Sequence, residues 1–219
     1  MSVLVAVVMI WFAFGSAWNV RKGKATMRWM QDGLPRVGER TTVRWLGTNS
    51  VEMVIQKAKP PFEQVTLVVF LEPRDVPWIW GLTRARGRRD TLIIRAQLCR
   101  APLHELEVLD RASWSGRDAL RHMASEQWLV REPVDQSHLP AFSKSDNAVA
   151  LGDTLLGLAR STGITVRRLS VRRLEPHLQL HMDLPDDSVS AAELFKTLRA
   201  VGQRAEASPG GSGDRKVPR

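Results

Sequence analysis

The sequence predicts an α+β protein in which a single membrane-spanning helix precedes mixed units of sheet and helix. The first twenty residues contain no charged side chain. Beyond residue 38, several short segments alternate apolar and polar residues, which is the period of β-strands. Between them lie stretches in which apolar residues recur every three or four positions, as in helices. These three observations together predict the α+β class.

Residues 1–20 are predicted to be the transmembrane anchor. As a helix, the apolar stretch 3–20 would rise about 27 Å, close to the roughly 30 Å of a bilayer's hydrocarbon core. Four cations follow at once: Arg21, Lys22, Lys24 and Arg28. Lys and Arg next to a membrane segment mark its cytoplasmic side. We therefore expect a single-pass protein of the cell membrane with a basic juxtamembrane segment at 21–39 and its C-terminal region in the cytoplasm.

A cleaved secretory signal and a buried core helix are the alternatives for this segment. Gly15, Ser16 and Ala17 are small enough for a signal peptidase. However, a secretory signal normally begins with Lys or Arg ahead of its apolar part, and only the terminal amine precedes Val3 here. The charge distribution therefore favours an anchor.

The positive charge lies mainly beside the predicted anchor. The formal net charge is +9, and residues 21–60 hold nine basic and three acidic side chains. Anionic lipid headgroups attract such residues by about 1 kcal/mol each. We therefore expect anionic membrane lipids as a partner, together with a protein partner that the sequence does not identify, and no nucleic acid. The lone Cys99 excludes an intramolecular disulfide and fits a reducing compartment.

A β-rich α+β domain is predicted at 40–131. It begins with a hairpin whose strands are centred on Val43 and Met53, followed by an almost continuously apolar strand at 65–72. A short helix follows, with Asp75 as its cap and Gly87 as its stop, and then come strands at 92–98 and 105–108. The last two elements are a helix opened by a capping box of Ser115 and Asp118 and a strand at 128–130. From residue 65 onward, this order is typical of ferredoxin-like domains.

A second unit is predicted after a linker. Residues 132–146 are polar, carry two prolines and are read as a linker or long loop. Residues 147–205 show the pattern helix, strand, strand, helix. The segment 206–219 is rich in Gly and Pro and is predicted to be a disordered tail.

A cluster of large apolar and basic residues is a second candidate membrane contact. Trp78, Trp80 and Leu82 are followed by Arg84 and Arg86, and such a short helix can lie in the headgroup region. The alternative is that Trp78 and Leu82 pack on the sheet while the arginines are solvated. The complete set of predicted membrane-interface residues is Trp18, Arg21, Lys22, Lys24, Arg28, Trp78, Trp80, Arg84 and Arg86.

The sequence lacks the common motifs for catalysis and for metal or cofactor binding, so it gives little support to an enzymatic function. The sequence contains no Walker loop, dinucleotide fingerprint, nucleophile elbow or zincin helix. His177 and His181 would stand about 13 Å apart on a strand, too far to share one ion. We expect them on a solvated sheet face with no metal and no cofactor, and we expect Cys99 to be a buried filler or an inert thiol.

Three hypotheses of function remain open. The first is a non-enzymatic scaffold or assembly factor held at the inner leaflet. In the second, the layout of one transmembrane helix before ferredoxin-like units resembles the bitopic scaffolds of type II secretion and type IV pilus machines, which implies a domain on the other side of the membrane. The third is an enzyme or binding module for a phosphorylated or lipid ligand, with Arg167, Arg168, Arg172 and Arg173 as anion ligands.

Overall fold

The computed structural model describes residues 2–123, 128–131, 141–143, 146–186 and 188–206. The α+β prediction is confirmed: a long apolar N-terminal helix precedes an antiparallel sheet with helices packed on it. The helices are α1 Ser2–Gln31, α2 Pro77–Ala85, α3 Trp114–Met123, α4 Asp146–Arg160 and α5 Ala191–Glu206. The strands are β1 Arg40–Trp45, β2 Ser50–Gln56, β3 Phe62–Phe70, β4 Thr91–Leu98, β5 Leu106–Leu109, β6 Leu129–Arg131, β7 Ala141–Ser143, β8 Val166–Val171 and β9 Leu178–Asp183.

The nine strands of the described residues form one sheet in the order β1-β2-β3-β4-β9-β8-β5-β7-β6, and all neighbours are antiparallel. Strands of the two predicted soluble units therefore pair with each other, β4 with β9 and β5 with β8. Within the predicted linker 132–146, residues Ala141–Ser143 form β7 and Asp146 begins α4. Residues 132–140, 144 and 145, and the predicted tail from 207 onward, lie outside the described residues.

The elements from β3 to β6 follow one another along the chain as predicted, but they do not form the predicted ferredoxin-like unit. In a split βαβ unit another strand separates the two strands that flank the helix. Around α2, β3 pairs directly with β4, and β9 and β8 lie between β4 and β5. The cause is that α2 is only nine residues long and joins two neighbouring antiparallel strands at one end of the sheet. The split strand order occurs instead around α3, because β7 lies between β5 and β6 and β8 pairs with the other edge of β5.

One face of the sheet carries the main core. Leu67, Ile94, Leu180 and Leu169 lie in register across four strands, and none is more than 1% exposed. Helices α4 and α5 and the C-terminal half of α1 cover this face. Burying each of these side chains contributes about 1.5–3 kcal/mol. On the other face, α3 packs through Ala119 and Met123 in a smaller cluster.

Two ends of the sheet are distinguished by its register. One end, here called the junction end because α1 is bonded to the sheet there, is marked by four residues aligned across β2, β3, β4 and β9: Ser50, Phe70, Thr91 and Asp183. At the distal end, Gln56, Gln64 and Gln97 are aligned across β2, β3 and β4, and Cys99 follows. Strand β4 has eight residues, so its two ends lie about 23 Å apart.

Helix α1 runs along the core face and leaves it at the junction end. The chain that follows α1 contacts the distal end, where the Lys59 amide donates to the Val37 carbonyl. Gly23 lies against Trp45 and Val51 near the junction end. The helix is unbroken for 30 residues, and its buried positions form one side: Gly15, Asn19, Gly23, Thr26 and Met30.

Two predicted helix starts are corrected. Val76, not Asp75, occupies the N-cap of α2, and the Asp75 carboxylate instead accepts a hydrogen bond from Thr48 at 3.3 Å. Helix α3 begins before the predicted capping box, because Ser113 Oγ accepts from the Gly116 amide at 3.0 Å. At α3, Ser113 and Ser115 are residues of the same capping type. At α2, Pro77 at the first helical position determines the start, because its fixed φ suits that position, and the N-cap has no side-chain hydrogen bond.

Candidate membrane interface

A buried carboxylate joins α1 to the sheet at the junction end. Asp90, 8% exposed, accepts hydrogen bonds from Lys22 Nζ at 2.5 Å, from both terminal nitrogens of Arg74 at 2.9 and 2.8 Å, and from the Glu72 amide at 2.7 Å. Burial alone would raise the pKa of Asp90, but these hydrogen bonds together hold it below its ordinary value. The carboxylate is therefore charged, and it binds the helix, the β3–α2 loop and β4 at one point.

A second buried carboxylate attaches α2 to the same point. Glu72 is 1% exposed, and it accepts from Arg84 Nη1 at 3.0 Å and from the indole nitrogen of Trp80 at 2.6 Å. Arg74 Nη2 lies 3.3 Å from the same carboxylate and so links it to Asp90. Removing one partner from such a buried ionic group leaves an uncompensated charge, which costs about 3–5 kcal/mol.

The loop between β3 and α2 packs directly against the backbone of α1. The Asn19 amide donates to the Glu72 carbonyl at 3.1 Å, and its oxygen accepts from Arg74 at 3.2 Å. About two turns further out, the Trp11 indole donates to the Arg74 carbonyl at 3.0 Å. A Cβ on Gly15 would lie only 2.3 Å from that carbonyl oxygen, so the close approach requires glycine. Helices α1 and α2 are therefore held in a fixed relation.

Exposed apolar side chains surround this junction. Helix α2 has no buried residue, and Trp78, Ile79 and Leu82 are 62%, 42% and 52% exposed. The apolar side chains of α1 before Gly15 are likewise mostly exposed. Five exposed tryptophans lie on the outer half of α1 or at the junction end of the domain: Trp11, Trp18, Trp45, Trp78 and Trp114. Exposed tryptophan is enriched at membrane–water interfaces.

The predicted interface residues divide into exposed and internally bonded groups. The exposed ones are Trp18, Arg21, Lys24, Arg28, Trp78, Arg84 and Arg86, of which Arg84 is also ion-paired. Lys22 is paired with Asp90, and both Trp80 and Arg84 bind Glu72. The alternative in which Trp78 and Leu82 pack on the sheet is wrong, because α2 lies at the end of the sheet and leaves both exposed.

Sequence reasoning missed the residues that assemble the junction. Asn19, Glu72, Arg74 and Asp90 come together over sequence separations of 16 to 55. The only available signals were a polar residue at the end of an apolar helix and acids at the edges of apolar strands. Trp45 and Trp114 were missed as interface candidates because their common location depends on the sheet register.

The predicted solvated face around His177 and His181 is wrong. His177 is 8% exposed and its Nδ1 accepts from the Leu98 amide at 3.0 Å, while His181 is 6% exposed. The α2–β4 loop and the start of α3 lie over this face near His181. Among the described residues no group of three His, Cys, Asp or Glu side chains is placed to hold a metal ion. Cys99 is exposed, so it is not a core residue.

The arginines proposed as anion ligands are engaged within the fold. The fully buried Glu107 accepts from Arg168 at 2.8 Å and from Arg172 at 3.1 Å. Arg167 bridges Asp110 and Asp183 at 2.7 and 2.6 Å. Arg173 donates to the Leu103 carbonyl. Their charges are therefore largely used to hold β5, β8 and β9 together.

Within the described part of the chain, α1 is the one helix long and apolar enough to cross a membrane. Membrane anchors and signal sequences share this property. No family model matches the chain, and no curated protein gives a significant sequence match.

Proposed function

We propose that the protein is a single-pass membrane protein whose α+β domain is docked on the inner leaflet, where it serves as a non-enzymatic scaffold or assembly factor. The observation that carries this proposal is the junction itself: the outer half of α1 and the exposed side of α2 are fixed to each other through Glu72, Arg74 and Asp90.

The length of α1 supports docking rather than a loose tether. Among the described residues, its first hydrogen bond to the rest of the domain is that of Trp11, and residues 2–10 before it rise only about 14 Å. A hydrocarbon core is roughly 30 Å thick. A spanning α1 must therefore bring the loop at Arg74 and the exposed side of α2 close to the membrane surface or into it.

The chemistry of the junction suits that depth. Trp78, Ile79 and Leu82 can replace water contacts by contacts with headgroups and upper acyl chains. Two acidic groups of the junction, Glu72 and Asp90, are buried and ion-paired, so they would not meet lipid as bare charges. Asp75 in the same loop is half-buried and accepts a hydrogen bond from Thr48. Arg21, Lys24 and Arg28 remain exposed on the following turns of α1 and would mark the cytoplasmic side.

Spin labels placed at two ends of the domain test the docking. One label is carried by Ile79→Cys in a Cys99→Ser background, and the other by native Cys99 at the distal end. Both full-length proteins are reconstituted in nanodiscs containing anionic lipid. We expect the label at position 79 to collide mainly with lipid-soluble oxygen and the label on Cys99 mainly with a water-soluble nickel chelate.

The two labels serve as matched controls, because Ile79 and Cys99 are both exposed in the fold. A label at position 79 that is as accessible to the nickel chelate as the label on Cys99 would show that α2 stands away from the bilayer. That result would contradict docking of the domain on the bilayer, even if α1 spans the membrane.

A further inference from the structure

A cavity of about 220 Å³ opens at the junction end on the side of the sheet opposite the main core. Its floor is formed by Phe70, Ile93 and His181. Ile93 and His181 are register partners across β4 and β9, and Phe70 lies on β3 opposite Thr91, two residues from Ile93. The α2–β4 loop forms one wall, and the first turn of α3, at Ser113 and Trp114, forms another. With liquid water occupying about 30 Å³ per molecule, the cavity has room for a headgroup-sized ligand.

His181 leaves hydrogen-bonding capacity unused in this floor. Its side chain is 94% buried, since only 6% of its surface is exposed, and neither ring nitrogen has a hydrogen-bond partner in the described part of the chain. Buried polar groups of native proteins nearly always have a partner. Burial and the positive charges of Arg168 and Arg95 lower the pKa of His181 to about 3, so the ring is neutral and can both donate and accept.

The surroundings of the cavity are electropositive. Arg88 and Arg89 are exposed on its α2–β4 wall, and Arg89 uses one terminal nitrogen to bond the carbonyls of Arg84 and Arg88. The positive end of the α3 dipole lies on the other wall, where the Gly116 amide is capped by Ser113 Oγ. Asp183 also lines the cavity and is paired with Arg167 at 2.6 Å. Arg167 is shared with Asp110, so these three groups carry one net negative charge against the two positive charges of Arg88 and Arg89.

We propose that this cavity binds a phosphate ester with a short glycerol-like or apolar part. Arg88 and Arg89 would pair with the phosphate, and His181 would lie beneath the ligand in the floor of the cavity. Phe70, Ile93 and Trp114 offer the apolar surface that the non-phosphate part of such a ligand needs. The source is either a lipid headgroup or a soluble phosphate ester. A lipid source rests on the proposed membrane docking, whereas binding of the ester itself does not.

Thermal unfolding of the full chain in zwitterionic detergent tests the site. The probes are dihexanoyl phosphatidic acid, sn-glycerol 3-phosphate and, as a neutral control, glycerol. We expect a saturable rise in Tm of a few degrees with the phosphate-bearing probes and none with glycerol. A lipid source predicts roughly tenfold tighter binding of the phosphatidic acid, and comparable affinities would indicate a soluble ester.

Matched variants separate the cavity from general charge attraction. Arg88→Gln/Arg89→Gln should weaken binding of the phosphate probes roughly 10- to 100-fold, as expected for loss of charge-assisted hydrogen bonds. Arg86→Gln removes a neighbouring exposed cation that does not line the cavity and should leave affinity within about twofold. His181→Gln should also weaken binding, and if that variant does not fold the arginine pair decides.

Two results would overturn the phosphate site. One is the absence of any saturable rise in Tm with both phosphate probes. The other is an equal loss of affinity in Arg86→Gln and in the arginine double variant, which would indicate unspecific attraction. Because these measurements need no bilayer, their failure is distinguishable from failure of the nanodisc experiment.

Discussion

Arg74 donates two hydrogen bonds to Asp90, at 2.9 and 2.8 Å, while its own carbonyl accepts from the indole of Trp11 at 3.0 Å. One residue thus holds the outer part of α1 with its backbone and the start of β4 with its side chain. Its third contact, to Asn19 on α1, closes the arrangement. The attachment of the helix to the domain depends on this residue and on the carboxylate that it binds.

Asp90→Asn should destabilise the fold by about 3–5 kcal/mol, because Arg74 and Lys22 would lose their buried counterion. Chemical denaturation of the detergent-solubilised protein measures the loss. Asp153→Asn removes an exposed carboxylate on α4 and should change stability by less than about 0.5 kcal/mol. Equal stability of the two variants would mean that the junction contributes nothing to folding.

Gly15→Ala should loosen α1 from the domain, because the new methyl group would overlap the Arg74 carbonyl at 2.3 Å. We expect a loss of about 1–3 kcal/mol and an increase in the exchange of the Trp11 indole proton. Gly81→Ala is the matched control: it lies in exposed α2 with no atom within 4 Å of the added carbon, and should stabilise by about 0.5–1 kcal/mol. Similar destabilisation by both changes would contradict the close packing at Gly15.

The single thiol of Cys99 reports orientation directly, because it is exposed at the distal end. On the proposed topology, a membrane-impermeant maleimide should label it in opened cells and leave it unlabelled in intact ones. The chain offers its own specificity control, since Cys99→Ser should not be labelled in either sample. Labelling in intact cells would place the domain outside and would favour the bitopic secretion or pilus type of scaffold.

Acid should weaken the fold through His181 as well as Asp90. The pKa of His181 falls from 6.5 to about 3 on folding, so protons bind the unfolded chain first and stability declines as the pH drops from 6.5 towards 3. Between pH 7 and pH 5 this residue alone should cost about 2 kcal/mol. The folded pKa of Asp90 is also depressed, so its contribution is lost only at lower pH.

The variant His181→Gln isolates that contribution, since glutamine cannot take up a proton in this range. Its free energy of unfolding, measured by denaturant titration at a series of pH values, should fall less steeply between pH 7 and pH 5 than that of the unchanged protein. An unchanged slope would assign the acid sensitivity to other groups.

Local periodicity was sufficient to predict the hairpin at β1 and β2, the paired strands β8 and β9, and helices α4 and α5. It failed for the order of strands, because pairing of β4 with β9 joins residues more than eighty positions apart. It failed for His181 for a related reason: alternation assigns a side chain to a face, but the loop and helix that cover that face are set by topology. The apolar run of α1 was recognisable, whereas its contacts through Asn19 and Gly15 depend on a distant loop.

Helix α1 contains no proline across its 30 residues, and its two inner glycines, Gly15 and Gly23, are clamped against other parts of the molecule. It therefore has no obvious hinge between the segment proposed to cross the bilayer and the segment packed on the sheet. If the helix tilts to match the membrane thickness, the sheet rotates with it as one rigid body. Lipid composition would then set the angle at which the domain meets anything assembled on the cytoplasmic surface.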